Sequence, residues 1–153
     1  MAKMFIRPMA VADYVEAMSD VATSVCPWMN LQDAGMAYFK AGPCFAGFLD
    51  DQLVGVAGVC CQIPGLGEAW AHLTRVGRAH GLAVTREVAR FLVHIIREKK
   101  LIRVQADTLR DHVAGRVWLL RLGFRRESRM PLYVEGKTMD RYVMYPLGNP
   151  PRG

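Results

Sequence analysis

VGRAHGLAVTREVARFLVHII, residues Val76 to Ile96, follows the strand-like segment Glu68, Ala69, Trp70, Ala71, His72, Leu73, Thr74, and its reading decides the rest. Arg78, Gly81 and Ala83 are spaced Arg-x-x-Gly-x-Ala in a basic, glycine-bearing loop. Behind the loop, Val84, Val88, Phe91, Leu92 and Ile95 recur at helical spacing, while Arg86, Glu87, Arg90, Arg97 and Glu98 take the opposite face. Strand, loop, helix is the order an anion site needs. A helix start leaves its first backbone N–H groups without intrahelical partners and carries the positive end of the macrodipole, so it can hold a phosphate or pyrophosphate. Gly81 lets such a ligand come close to the backbone.

Outward from this stretch, 153 residues with 52% apolar content suffice for one core. The expected organisation is a single domain over 1–146 and a loosely held, proline- and glycine-rich tail over 147–153. The apolar runs are shorter than the roughly 18 to 20 residues of a membrane span, and the N-terminus lacks a signal pattern, so a cytoplasmic protein is the expectation. Cys26, Cys44, Cys60 and Cys61 lack metal-ligand spacing and read as buried reduced thiols, with no metal site. A net charge of +6 suits an acidic partner such as a phosphorylated cofactor. The basic residues are scattered and not interleaved with aromatics, so a nucleic-acid platform is not expected. No membrane association is expected either.

Met4 to Arg7 reads as a first strand. Val11, Tyr14, Val15, Met18, Val21, Ala22 and Val25 form one helical stripe ending before Pro27. Asn30 caps a second helix through about Lys40, carrying Leu31, Met36, Tyr38 and Phe39. Cys44 to Leu49 and Leu53 to Ile63 form a hairpin through Asp50, Asp51 and Gln52, and Pro64 to Gly67 turn into the Glu68 to Thr74 strand. After the central helix come a strand at Ile102 to Thr108 and a shorter helix from about His112 to Leu122, with Val113, Val117, Leu120 and Trp118 expected inward. Gly123 stops it. A last hairpin joins Arg126 to Val134 with Thr138 to Met144 around Glu135, Gly136 and Lys137. About seven strands and four helices in this order imply an α+β fold, a mixed and mostly antiparallel sheet flanked by helices.

This order, with Arg78, Ala79, His80, Gly81, Leu82, Ala83 after the fourth strand and Leu120, Arg121, Leu122, Gly123, Phe124 after the last helix, resembles the Gcn5-related N-acetyltransferase (GNAT) superfamily over nearly the whole chain. The resemblance implies a GNAT fold, acetyl-CoA as cofactor and acetyl transfer to an amine of a small molecule or a protein. It implies a pyrophosphate held by backbone N–H groups of Arg78, Ala79, His80, Gly81, Leu82 and Ala83, with charge from Arg75, Arg78 or Arg86. Leu73, Thr74, Arg75 and Val76 would offer main-chain groups to the pantetheine arm. If Thr85 caps the helix instead, the loop is longer and Gly81 misses the phosphates. Many members carry a tyrosine four residues before the glycine of Leu-Gly-Phe, where it protonates the departing thiolate; here that position is Leu119, and His112 stands seven residues earlier.

Acetyl transfer also needs a proton acceptor for the amine. Period-two alternation puts Glu68, Trp70, His72 and Thr74 on one face of the fourth strand, which makes Glu68 and His72 the candidate bases. Tyr133, Tyr142 and His112 are candidate acids outside the family position. No Gly-x-Ser-x-Gly elbow or Walker pattern occurs, so hydrolase and nucleoside-triphosphatase readings fall away. Gly67, Glu68, Ala69, Trp70 and the tryptophan-bearing last helix further resemble small GNAT-like proteins encoded among the structural genes of short-tailed, T7-like bacteriophages. That resemblance implies an alternative: a catalytically weak or inactive scaffold that binds a viral or host protein, in the virion or the host cytoplasm. GNAT-like folds also often form homo-oligomers.

Overall fold

The computed structural model describes residues 3–20 and 30–152. The elements are β1 (Met4–Pro8), α1 (Val11–Ser19), α2 (Leu31–Ala41), β2 (Cys44–Leu49), β3 (Gln52–Ile63), β4 (Leu66–Leu73), α3 (Arg75–Ala79), α4 (Gly81–Lys99), β5 (Arg103–Leu109), α5 (Val113–Arg121), β6 (Arg125–Val134) and β7 (Lys137–Met144). They build one seven-stranded sheet in the order β1-β2-β3-β4-β5-β7-β6. The Val21, Ala22 and Val25 part of the first helical stripe lies outside the described residues, as does Cys26.

Local chemistry explains the turns. Asp50 and Asp51 both take positive φ (48° and 63°), the left-handed pair that suits a tight hairpin between β2 and β3. Between β3 and β4, Pro64 precedes Gly65 at φ 81°, and Ile63 faces Leu66 across the turn. Asn30 caps α2, its side-chain oxygen accepting from the Asp33 N–H at 3.1 Å. Asp13, buried in α1, accepts from the Ala10 N–H at 2.8 Å and from Arg7 at 2.7 and 2.9 Å, which pins the start of α1 to β1.

Helices cover both faces. On one, α1 and α2 bury Tyr14, Ala17 and Ala34 with Ala46, Leu53 and Val56 of the sheet. On the other, Leu92 and Ile95 of α4 and Leu119 of α5 pack with Val59, Val104, Phe124 and Tyr142. A third cluster joins Leu49, Val54 and Val84 to Leu73, Val76, Val88 and Trp118. β3 is buried on both faces along its middle, which is why its sequence reads as a near-continuous apolar run.

One inward face differs from the sequence expectation. In α5, Trp118 packs inward as expected, but Val113, Val117 and Leu120 are exposed, and Leu119 turns inward in their place. Apolar residues surround that nine-residue helix, so periodicity could not select a face, and the Leu122–Phe124 exit fixes its rotation. In α2, Met36 and Phe39 are exposed because the small residues Ala34 and Gly35 make the close approach to α1.

The sheet opens at its centre. Strands β4 and β5 run parallel and pair only through Leu66, Gly67 and Glu68 against Arg103, Val104 and Gln105. Beyond Glu68 and Gln105 they diverge: β4 stays with β3 as far as Leu73, and β5 stays with β7 as far as Leu109. From Ala69 onward the β5-facing edge of β4 has no strand partner among the described residues.

Candidate active site at the strand divergence

The anion loop is more ordered than its sequence suggests. It is a five-residue helix, α3, turned sharply into α4 at His80. Thr74 caps α3: its buried hydroxyl donates to Leu53 O at 2.6 Å, lies 3.0 Å from Val54 O, and accepts from the Gly77 N–H at 3.3 Å. Gly77, which the sequence reading passed over, is the glycine the packing requires, since a Cβ there would stand 2.1 Å from Val54 O. The signal was present only as a second glycine four residues before Gly81.

Gly81 opens α4, and a Cβ on it would meet nothing within 4 Å. The first intrahelical bond runs from Val84 N–H to His80 O at 3.1 Å, so the N–H groups of Gly81, Leu82 and Ala83 precede the ladder, and all three residues are exposed. Thr85 lies inside α4 and donates to Gly81 O at 2.6 Å, which removes the longer-loop alternative. An exposed N-terminal turn of a 19-residue helix fits a pyrophosphate.

The groups expected to face the pantetheine arm are largely engaged within the protein. Thr74 N–H donates to Val54 O at 3.0 Å, Arg75 N–H to the Asp20 carboxylate at 2.6 Å, and the Arg78 guanidinium to Leu73 O at 2.9 Å. The His80 Nδ1 sits 2.9 Å from Val76 O. Ala79 closes α3 and is exposed.

The two candidate bases occupy different surroundings. His72 packs edge-on to Tyr14 (ring centroids 5.7 Å apart) and beside Trp70 (5.8 Å), and its buried Nε2 has no hydrogen-bond partner among the described residues. Burial lowers its pKa to about 4, so the ring is neutral and a weak proton acceptor at neutral pH. Glu68 stands at the last paired position of β4, exposed, with Oε1 accepting from Gln105 Nε2 at 3.0 Å. It lines a cavity of about 240 Å³ together with Tyr38, Cys60, Trp70, Gln105, Asp107 and Met139. Asp107 is held by Arg141 in a two-bond pair at 2.8 and 2.9 Å.

Leu119 is 9% exposed and belongs to the cluster holding Ala106 and Tyr142. Of the three candidate acids, Tyr142 shares that cluster; Tyr133 is exposed on β6 and His112 precedes α5. Cys60 and Cys61 are half-buried and Cys44 is buried; burial raises all three thiols, Cys60 to about 11 with help from the Glu68 charge, which keeps them protonated.

A seven-stranded sheet whose parallel pair parts after three residues, with a cavity lined by both parted strands, defines a fold: that of the GNAT acetyltransferases. Solved structures carry the same architecture. A GNAT-family acetyltransferase from Bacillus anthracis superposes with a TM-score of 0.71 at 16% identity, over 95% of this chain and 96% of that one. A ribosomal-protein-alanine N-acetyltransferase from Brucella melitensis gives 0.73 at 15% identity, over 92% and 99%. The Salmonella typhimurium protein yncA, solved with its cofactor acetyl-CoA, gives 0.72 at 15% identity, over 93% of each chain. No protein-family model and no curated protein matches the chain.

Proposed function

We propose that this protein is an acetyl-CoA-dependent N-acetyltransferase acting on an amine, with Glu68 as the proton acceptor. The observation that carries this reading is the divergence itself: β4 loses its β5 partner from Ala69 onward, and the cavity that Glu68 lines takes in Ala69 and Trp70 of β4 and Ala106 and Asp107 of β5, residues on both parted strands. Gly81, Leu82 and Ala83 would hold the pyrophosphate through their backbone N–H groups, with charge from Arg75, Arg78 or Arg86. Bound acetyl-CoA would supply an acyl thioester, whose C–S bond would break as the amine nitrogen forms the amide, the CoA sulfur leaving as a thiolate that takes up the second proton lost by the nitrogen. Glu68 takes the proton that the ammonium must lose, since one of its oxygens is turned to Gln105 and the other is left to the cavity. Backbone N–H groups on the free edge of β4 would polarise the carbonyl without a side-chain acid. His72 contributes packing in this reading.

A second reading is a scaffold that binds acyl-CoA or a protein partner without turnover. Buried Leu119 at the family's acid position favours it, as do the internal partners of Leu73 O and Arg75 N–H. Calorimetric titration with acetyl-CoA, followed by a free-thiol assay against an amine panel, separates the two. Micromolar binding, about −8 kcal/mol, with thiol release supports the transferase. Micromolar binding without thiol release from any amine supports the acyl-CoA-binding scaffold, and no binding at millimolar ligand by the folded protein overturns the cofactor site.

A further inference from the structure

The cavity at the divergence has a composition that selects among amines. One wall is aromatic: Trp70 and Tyr38 stack with ring centroids 4.4 Å apart and an interplanar angle of 36°. Met139 and Ala106 also line the cavity. Two carboxylates face the space, and they are not equivalent. Asp107 is neutralised by its two-bond pair with Arg141, whereas Glu68, among the described residues, is hydrogen-bonded to the uncharged amide of Gln105 and meets the Arg141 charge only at longer range. Gln105 is itself fixed, accepting from Arg103 Nε at 3.0 Å while 8% exposed. The cavity therefore carries one net negative charge, at a set position beside aromatic faces, in a chain whose overall charge is +6.

We infer that this cavity is an acceptor site for a primary alkylamine without a carboxylate, its ammonium on Glu68 and its apolar stem against Trp70 and Tyr38. The inference rests on the transferase reading and names its substrate class. An aromatic face and a carboxylate together attract an ammonium more strongly than either alone. An amino acid would bring a third carboxylate toward Glu68 and Asp107, and like charges in a half-closed space are rejected. Size agrees: a cavity of about 150 Å³ already holds benzene, so 240 Å³ takes an arylalkylamine or a short alkyl chain. A lysine side chain presents the same chemistry as a free alkylamine, and the test distinguishes them.

The test is calorimetric titration of the full chain with phenethylamine, phenylalanine, phenethyl alcohol, butylamine and a neutral peptide bearing one lysine, each with and without saturating CoA. Phenethylamine should bind about tenfold or more tighter than phenylalanine or phenethyl alcohol. Glu68→Gln should reduce its affinity by about tenfold. Trp70→Leu should also weaken it; because Trp70 supports the α1–α2 core, the Glu68 variant carries the decision if that protein does not fold. A lysine peptide binding ahead of butylamine supports the site with a protein side chain as its source, and the reverse order supports a free amine. Equal binding of phenylalanine and phenethylamine, full affinity in Glu68→Gln, or no amine binding in either cofactor state would overturn the inference. Amine binding by a protein that does not bind CoA would remove the transferase reading and leave the amine site standing; CoA binding with no amine bound does the reverse.

Discussion

Trp118 on α5 donates its indole N–H to the hydroxyl of Thr85 on α4 at 2.8 Å, and the Thr85 hydroxyl in turn donates a hydrogen bond to Gly81 O at 2.6 Å. This chain of two bonds ties α5 to the first turn of α4, the turn whose N–H groups are open. The indole also packs against the buried cluster of Leu49, Val54 and Val84, the same cluster that Leu73 of β4, Val76 of α3 and Val88 of α4 pack against. Thr85→Val keeps the shape, leaves the indole N–H unpaired, and should cost about 1–3 kcal/mol in denaturant unfolding. Trp118→Phe removes the donor as well as part of the packing. A double-mutant cycle should give a coupling of about 1 kcal/mol in stability, and the same cycle read on acetyl-CoA affinity should also be non-additive. Additive effects on affinity would mean that the geometry of the turn does not depend on α5.

Gly77 and Gly81 make opposite predictions although they share the same loop. Gly77→Ala drives a methyl group into Val54 O, a backbone atom that cannot yield, and should destabilise the protein by about 3 kcal/mol or more. Gly81→Glu enters open space and should leave the unfolding midpoint nearly unchanged while abolishing acetyl-CoA binding through steric cover and negative charge at the turn. Thermal unfolding and calorimetry on both variants check this. Unchanged affinity in folded Gly81→Glu removes the turn from the site.

These two glycines show what the sequence could and could not disclose. The order of elements along the chain, the hairpins and the helix ends depend on local signals such as Asn30, Asp50-Asp51, Pro64-Gly65 and Gly123, and they were legible. Arg-x-x-Gly-x-Ala gave the open turn by spacing. That Gly77 is the packed glycine depends on β3 passing beneath it, a contact more than twenty residues away in the chain. Likewise His72 and Glu68 share a face of β4, but only the packing of Tyr14 and the parting of β5 decide that one is enclosed and the other lines a cavity. The buried side of α5 was illegible for a simpler reason: with apolar residues all round, neighbours set its rotation.

His72 should make stability depend on pH in a defined window. Its pKa is lowered in the folded state, from an ordinary 6.5 to about 4, so the unfolded chain binds the extra proton first as pH falls. Stability is unaffected above 6.5 and declines between 6.5 and 4, by at most about 1.4 kcal/mol per pH unit. Glu127 acts in a lower window. The Arg103 guanidinium, seconded by Tyr145, holds its carboxyl down to about 2, so its contribution is complete above the ordinary 4.5 and is lost as pH falls from there. Denaturant unfolding between pH 7 and 5 should show a decline in the wild type that His72→Gln flattens. An equal slope in both proteins would assign the decline to another group.

Gln105 provides the last expectation, because it joins a charged surface network to Glu68. Its amide takes a hydrogen bond from Arg103 Nε and gives one to Glu68 Oε1, both at 3.0 Å, and Arg103 is in turn clamped on Glu127. Gln105→Leu preserves volume and the Arg103–Glu127 pair but releases Glu68 from its donor and leaves Arg103 Nε without its acceptor. The stability cost should be about 1–3 kcal/mol, as for an unpaired polar group. A role that is merely structural would end there. A positioning role shows in the ligands: phenethylamine affinity should fall several-fold while acetyl-CoA affinity stays at the wild-type value, since Gln105 lines the cavity and is remote in sequence and sheet position from the α4 turn. Gln105→Glu separates geometry from charge, because it can still accept from Arg103 but, when ionised, sets a second negative charge against Glu68 in place of a donor. If both variants bind phenethylamine as the wild type does, Glu68 holds its position without Gln105.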